Sequence, residues 1–282
     1  MASEPILIGL NVTASTDADR TRLAEKAEAE YFRRFLARVP ATTQQDLGIR
    51  TATVGAGVVT AVRNDPSGYW TKALGFGPGD LIDAALLREI VGFFRLAGKG
   101  EGVIAIPPSA EPQDWAELTR QFGLTPTSEW TKFARSPGAI TTPSIDFEVR
   151  ALGAEDAPAW QRIIREAFGM LEPDLTPILR ATITDPVARV FGAWDGDLLI
   201  GAGAVHLLGE AASLNTGATL PSHRRRGVQG ALISARVRAA ADAGCRLVSA
   251  ETGSSPDSPS YRNLVRAGFV HLYDRQNWTW TA

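Results

Sequence analysis

Residues 219–232 read Thr219-Leu220-Pro221-Ser222-His223-Arg224-Arg225-Arg226-Gly227-Val228-Gln229-Gly230-Ala231-Leu232. A short apolar strand runs into a basic, glycine-bearing turn, and the turn opens directly into a helix. The first turn of a helix has backbone N–H groups without intrahelical partners, and the helix dipole adds partial positive charge there. Three arginines supply mobile charge, and Gly227 and Gly230 suggest a backbone that a phosphate can approach. The turn therefore reads as an anion site. No Gly-Lys-Ser/Thr follows, so it is not a P-loop. The three-glycine spacing of a dinucleotide fingerprint is also missing.

Working outward, the elements around this turn come in a definite order. Phe147 to Leu152 reads as a strand, Glu155 to Phe168 as a helix, and Leu175 to Ile183 as a short helix before Pro186. Val187–Trp194 and Leu198–Leu208 read as strands joined by Asp195-Gly196-Asp197, a hairpin signal. Ala211 to Leu220 is the strand before the turn. The helix after it carries Val228, Ala231, Leu232, Ala235 and Ala239 on one face. A strand from Cys245 to Glu251 follows, then a helix with Ser258 and Pro259 as start signals and Ala267-Gly268-Phe269 at its end.

This ordered set, from about Phe147 to Trp280, resembles the GNAT acetyltransferases. Their acyl-CoA pyrophosphate loop carries Arg or Gln, two free positions, Gly, one free position, then Gly or Ala. Arg224 and Gly227 fit, whereas Gln229 stands where the small residue is usual. The resemblance implies acetyl-CoA as cosubstrate. The backbone near Thr219 and Leu220 would hold the thioester arm. Arg224, Arg225, Arg226, Gly227, Val228, Gln229 and Gly230 would surround the pyrophosphate, with the Gln229 side chain pointing outward. The family's usual thiolate acid, a tyrosine of the last helix, corresponds here to Leu264. Tyr261, three residues earlier on the same helix face, becomes the substitute. Asn263 is a candidate hydrogen-bond partner of CoA. Glu251, at a strand end before a polar loop, is the candidate base. The implied reaction moves an acetyl group to an amine, on a small molecule rather than a protein. A catalytically weak acyl-CoA-binding or regulatory protein is the alternative, motivated by Leu264 and Gln229.

The N-terminal half looks similar. A helix spans about Thr21 to Arg38, and strands are read at Thr51–Val62 and Tyr69–Phe76. A Gly77-Pro78-Gly79-Asp80 turn precedes a helix from Leu81 to about Ala97, a strand follows at Val103–Ile106, and a helix ends at Gly123. Laying Gly98 on Gly244 puts Pro78, Gly79 and Asp80 opposite Arg224, Arg225 and Arg226. The cations are missing there, and Asp80 reads as a helix N-cap. The fold expected is α/β: two GNAT-like halves, each a mixed, mostly antiparallel sheet flanked by helices. The halves are 1–140, degenerate, and 145–282, the transferase. The Pro- and Gly-bearing stretch 136–144 links them.

At 282 residues, two domains of ordinary size fit. A net charge of −2 offers no global field for nucleic acid. Cys245 is the one cysteine, so no internal disulfide is possible, and its place at a strand start suits a small buried residue. No Cys/His cluster has metal spacing. No apolar run reaches a membrane span, and Pro5–Leu10 lacks the basic flank of a secretory signal. These features imply a cytoplasmic monomer or homodimer without metal, nucleic-acid or membrane partners. His206 reads as structural, and His223 as a turn residue or phosphate donor.

Overall fold

A computed structural model describes residues 16–65, 67–169 and 176–282. The Pro5–Leu10 stretch lies outside them. In chain order the elements are α1 (Asp17–Ala37), α2 (Ala41–Leu47), β1 (Ile49–Val54), β2 (Gly57–Val62), β3 (Lys72–Leu74), α3 (Ala84–Leu96), β4 (Glu101–Ala105), α4 (Trp115–Phe122) and β5 (Leu124–Arg135). Then come β6 (Glu148–Leu152), α5 (Ala157–Phe168), α6 (Thr176–Ile183), β7 (Ala188–Asp195), β8 (Leu198–Leu208), β9 (Ala211–Thr219), α7 (Val228–Asp242), β10 (Leu247–Gly253), α8 (Pro259–Arg266) and β11 (Val270–Thr281). The fold is mixed α/β with a mostly antiparallel sheet.

The eleven strands of the described residues form one sheet, in the order β1-β2-β3-β4-β11-β5-β10-β9-β8-β7-β6. Among the described residues, only β3–β4 and β9–β10 pair in parallel. Each of these pairs is joined by one helix, α3 or α7, as a parallel crossover requires. After each, a short helix leads to a long last strand, β5 or β11. Those last strands are interleaved: β11 lies between β4 and β5, and β5 lies between β11 and β10. The segment 136–144 therefore joins stretches of chain that share strands at the centre of the sheet.

Local chemistry fixes the ends of the elements. Thr16 and Asp19 form a capping box at the start of α1. Gly123 takes the left-handed conformation after α4. Four expectations need correction. The expected strand 51–62 is a hairpin, and the expected strand 69–76 contracts to β3. The helix expected at Leu81 begins at Ala84, because Asp83 accepts from the Leu86 amide and caps it. Asp80 instead accepts from the Gly77 amide at 2.8 Å and closes its own turn.

Helix α1 crosses the middle of the sheet. Its Ala24 and Ala27 pack with Ala134, Ala211 and Leu247. Tyr31, Phe32 and Phe35 pack with Val58, Trp70 and Leu74 on one side and with Ile178 and Ala181 of α6 on the other. Helix α7 lies on the opposite face, where Ile233, Val237 and Ala240 pack with Val205, Leu214 and Val248.

Candidate active site

Strands β9 and β10 run paired from Ala211–Leu247 to Leu214–Ala250 and then separate. The separation has a local cause. Between Ala202 and Ala204 the register of β8 on β9 shifts, and Thr216 sits at φ 51°, an unusual value for a β-branched residue. Arg236 of α7 secures the distortion, donating to the carbonyls of Ala204 and Asn215 at 3.4 Å each. Beyond Asn215 the edge of β9 facing β10 is left without a strand partner. Thr219 and Leu220 lie at its end, both buried, with the Leu220 amide bonded to the Ile200 carbonyl at 2.9 Å.

The turn that follows presents cations and amides to one side. Arg224, Arg225, Arg226 and Gly227 are exposed. None of the three arginines makes an ion pair among the described residues. The Arg226 guanidinium lies 4.4 Å from the Phe147 ring centroid. Arg225 has φ 63° and Gly227 φ 78°, which turns the chain sharply into α7. No described residue accepts from the backbone N–H groups of residues 225–230, so these donors remain for an anion.

Two expectations change here. The Gln229 side chain points inward: its amide donates to the Ala218 carbonyl at 2.6 Å and the Thr219 hydroxyl at 2.8 Å. It ties α7 to the free end of β9, a task no small residue can perform. The glycines also have a packing reason. A Cβ at Gly227 would lie 2.7 Å from Ile145, and one at Gly230 would lie 2.8 Å from Pro143. The segment after β5 is laid against the start of α7, so both positions need glycine whether or not a phosphate is bound.

The candidate catalytic residues sit on opposite faces of the sheet. Glu251 is the first residue of β10 past its last pair with β9 and faces α1. Tyr261 is on the α7 face, with its ring edge-on to Phe133 at 4.8 Å between centroids. Its half-buried hydroxyl has no hydrogen-bond partner among the described residues. Leu264 is buried in that same apolar cluster. Asn263 is half-buried, and its Oδ1 accepts from Arg266 at 3.1 Å. A reaction using both Glu251 and Tyr261 has to pass through the opening between β9 and β10.

The α1 face of this opening holds a network of charges. Arg275 of β11 pairs with Glu25 at 2.7 Å, Glu28 at 2.8 Å and Glu251 at 2.6 Å. Lys132 of β5 pairs with Glu28 and Glu251 at 2.6 Å each. Tyr273 donates to Glu25 at 2.7 Å. At Glu25 burial favours the neutral carboxyl and wins over the nearby cations, raising the pKa. At Glu28 burial is outweighed by Arg275 and Lys132, which hold the carboxyl well below its usual range. Sequence reading missed Glu25, Glu28, Lys132 and Arg275. The available signal was Glu25 and Glu28 set among the buried alanines of α1.

His206 lies under the bulge. Asn215 donates to its Nδ1 at 2.9 Å, and the Tyr31 ring packs 4.7 Å away. Burial lowers its pKa to about 4. The native state therefore binds this proton less readily than the unfolded chain, and stability falls as pH drops from about 6.5 towards 4. Urea unfolding of the wild type at pH 5 should show a His206 contribution about 2 kcal/mol less favourable than at pH 7. His206→Gln should remove that pH-dependent difference, and an equal pH dependence in wild type and variant contradicts it. His223 bonds Ser222 at 2.8 Å and Asp195 at 3.3 Å. Cys245 is buried and free.

The 77–80 turn is closed from within. Arg22 of α1 donates to the Pro78 carbonyl. Phe76 is fully buried against Gly57, where a Cβ would lie 2.5 Å from its ring. No group of His, Cys, Asp and Glu among the described residues can hold a metal ion, and no described helix is long and apolar enough to cross a membrane.

Comparisons with known proteins bear on this geometry. Residues 157–269 match the model of the Acetyltransferase (GNAT) family, a span that includes the separating strands and the arginine turn. No curated protein matches the chain. Among solved structures, a GCN5-related N-acetyltransferase from Kribbella flavida has a TM-score of 0.62 at 19% identity, covering 87% of this chain and 96% of that one. A tandem GNAT protein from the clavulanic acid biosynthesis pathway has a TM-score of 0.58 at 15% identity, covering 91% and 96%. A GCN5-related N-acetyltransferase from Sphaerobacter thermophilus has a TM-score of 0.57 at 15% identity, covering 83% and 76%. The fold is thus shared with these structures over most of the chain, and the family model matches residues 157–269 within it.

Proposed function

We propose that this protein is an acyl-CoA-dependent N-acetyltransferase, moving the acetyl group of acetyl-CoA to the amine of a small molecule in the cytoplasm. The observation that carries the reading is the separation of β9 from β10 beside the unpaired amides and arginines of residues 224–230. The thioester arm would lie along Ala218, Thr219 and Leu220, with the pyrophosphate at Arg224, Arg225, Arg226 and the amides of Gly227 to Gly230. Asn263 would reach CoA from α8. The amine nitrogen attacks the thioester carbon, the carbon–sulfur bond breaks, the amine proton leaves to a base, and the CoA thiolate takes up a proton.

Glu251 is the candidate base and Tyr261 the candidate acid. Glu251 Oε2 already accepts from Lys132 and Arg275, so the base role falls to Oε1. We also propose a tandem arrangement with a degenerate N-terminal half that binds no CoA. The repeated strand order supports it, as does Arg22, which donates to the Pro78 carbonyl in the turn that matches residues 224–226.

The second reading, an acyl-CoA-binding protein with weak turnover, draws support from Leu264 and from the two cations on Glu251. Release of CoA thiol from acetyl-CoA with a panel of small amines separates the two. Glu251→Gln should lower turnover by about a hundredfold while acetyl-CoA affinity is kept, and raising pH should partly restore the rate. Wild-type rates for that variant across pH 6 to 9 (about the usable range) would remove Glu251 as base.

A further inference from the structure

The charge network beside the opening leaves one cation out. Each of its three carboxylates is bound by Lys132 or Arg275. Lys72 of β3 lies on the same α1 face and is only 9% exposed, yet it forms no ion pair or side-chain hydrogen bond among the described residues. Its Nζ is 3.8 Å from the centroid of the Tyr69 ring and 5.2 Å from that of Phe32. Tyr69, which covers the amine, is 41% exposed.

The surroundings connect this amine to the opening. Glu251, Glu28, Arg275 and Lys132 all lie within electrostatic reach of Lys72, and Tyr69 lies within reach of Glu251 and of Tyr31. Tyr31 in turn faces Thr216 at the β9 bulge. Burial lowers the Lys72 pKa to about 8 against the pull of Glu251 and Glu28, as expected of a cation short of compensation. Ring faces hold such a cation weakly, and an anion holds it strongly.

We propose that Lys72 is the anion receptor of the acceptor site. The acceptor is then an amine that also bears a carboxylate or comparable anionic group, held against Lys72 beneath Tyr69. This rests on the acetyl-transfer reading above and narrows its substrate class. It also gives the N-terminal stretch of the chain a part in choosing the acceptor.

The test compares matched acceptors, glycine with glycinamide and β-alanine with β-alaninamide, by release of CoA thiol from acetyl-CoA. The wild type should prefer the carboxylates by about tenfold or more in kcat/KM, the scale of one charged hydrogen bond. Lys72→Met should abolish the preference by raising KM for the carboxylates alone, and Lys72→Arg should restore part of it. Equal kcat/KM in the wild type overturns the proposal without any variant, and so does a preference that survives Lys72→Met. If no amine reacts, thermal stabilisation by glutarate in the presence of CoA decides. Saturable stabilisation lost in Lys72→Met supports the receptor, whereas none in the wild type, or equal stabilisation in both, overturns it. Calorimetric binding of acetyl-CoA reports separately on the transferase reading, so the two can fail independently.

Discussion

Residues 145–282 produced alone are expected not to fold, although they contain the whole span that matches the transferase family. Strand β5 lies outside this fragment and pairs with β10 from Arg135–Val248 to Trp130–Gly253. It also pairs with β11 from Ala134–Val270 to Leu124–Trp280. Without β5, β11 has no neighbour within the fragment, because its other partner is β4. Two long edges of unpaired amides and carbonyls would be exposed. Phe133, fully buried among Leu264, Phe269 and Ala250, would leave a gap in the core. Circular dichroism should show little native structure and no cooperative urea transition. Co-production with residues 1–144 should restore both. A cooperative transition near the full-length midpoint from the fragment alone contradicts the interleaved sheet.

Arg275→Met should be among the most destabilising single substitutions. Arg275 is 2% exposed, and its guanidinium binds Glu25, Glu28 and Glu251 together. Methionine roughly fills the space of the aliphatic stem but leaves three carboxylates to share Lys132. Breaking a buried pair by removing one partner costs about 3–5 kcal/mol, because the charges left behind stay desolvated. That is a large share of a total stability on the order of 5–15 kcal/mol. Urea denaturation at neutral pH measures it. Adding Glu28→Gln should recover part of the loss, since one uncompensated charge is removed. A loss below about 1 kcal/mol, the range of a surface pair, would contradict a buried network.

The local part of this molecule was legible in its sequence. The stretch Thr219–Leu232 announces strand, basic turn and helix through chemistry confined to neighbouring residues, and all three elements are present. Asp83 was overlooked as a cap because Asp80 stands just before the first apolar residue. What decides between them is which amide each carboxylate reaches, and that depends on the path of the turn. Gln229 was read as outward because its partners, Ala218 and Thr219, come near only when α7 folds back on β9. The interleaving of β5 and β11 left no local trace, since alternation fixes a strand's faces but not its neighbours. Arg275 and Lys132 were missed for the same reason: their carboxylates come from α1 and β10. The roles of Glu251, Tyr261 and Asn263 depend on a bound thioester and acceptor, and spacing along the chain does not supply either.

The central claim, that acyl-CoA is held where β9 parts from β10, is tested most directly by calorimetric titration of acetyl-CoA into the full-length wild type and into a variant with Arg224, Arg225 and Arg226 all changed to Ala. These side chains are exposed and make no ion pairs among the described residues, so the variant should fold normally. The wild type should bind acetyl-CoA at a single site per chain, and the variant should bind at least about tenfold more weakly, a loss of roughly 1.4 kcal/mol or more. Equal affinity in the two proteins, or no binding to the wild type, would contradict it.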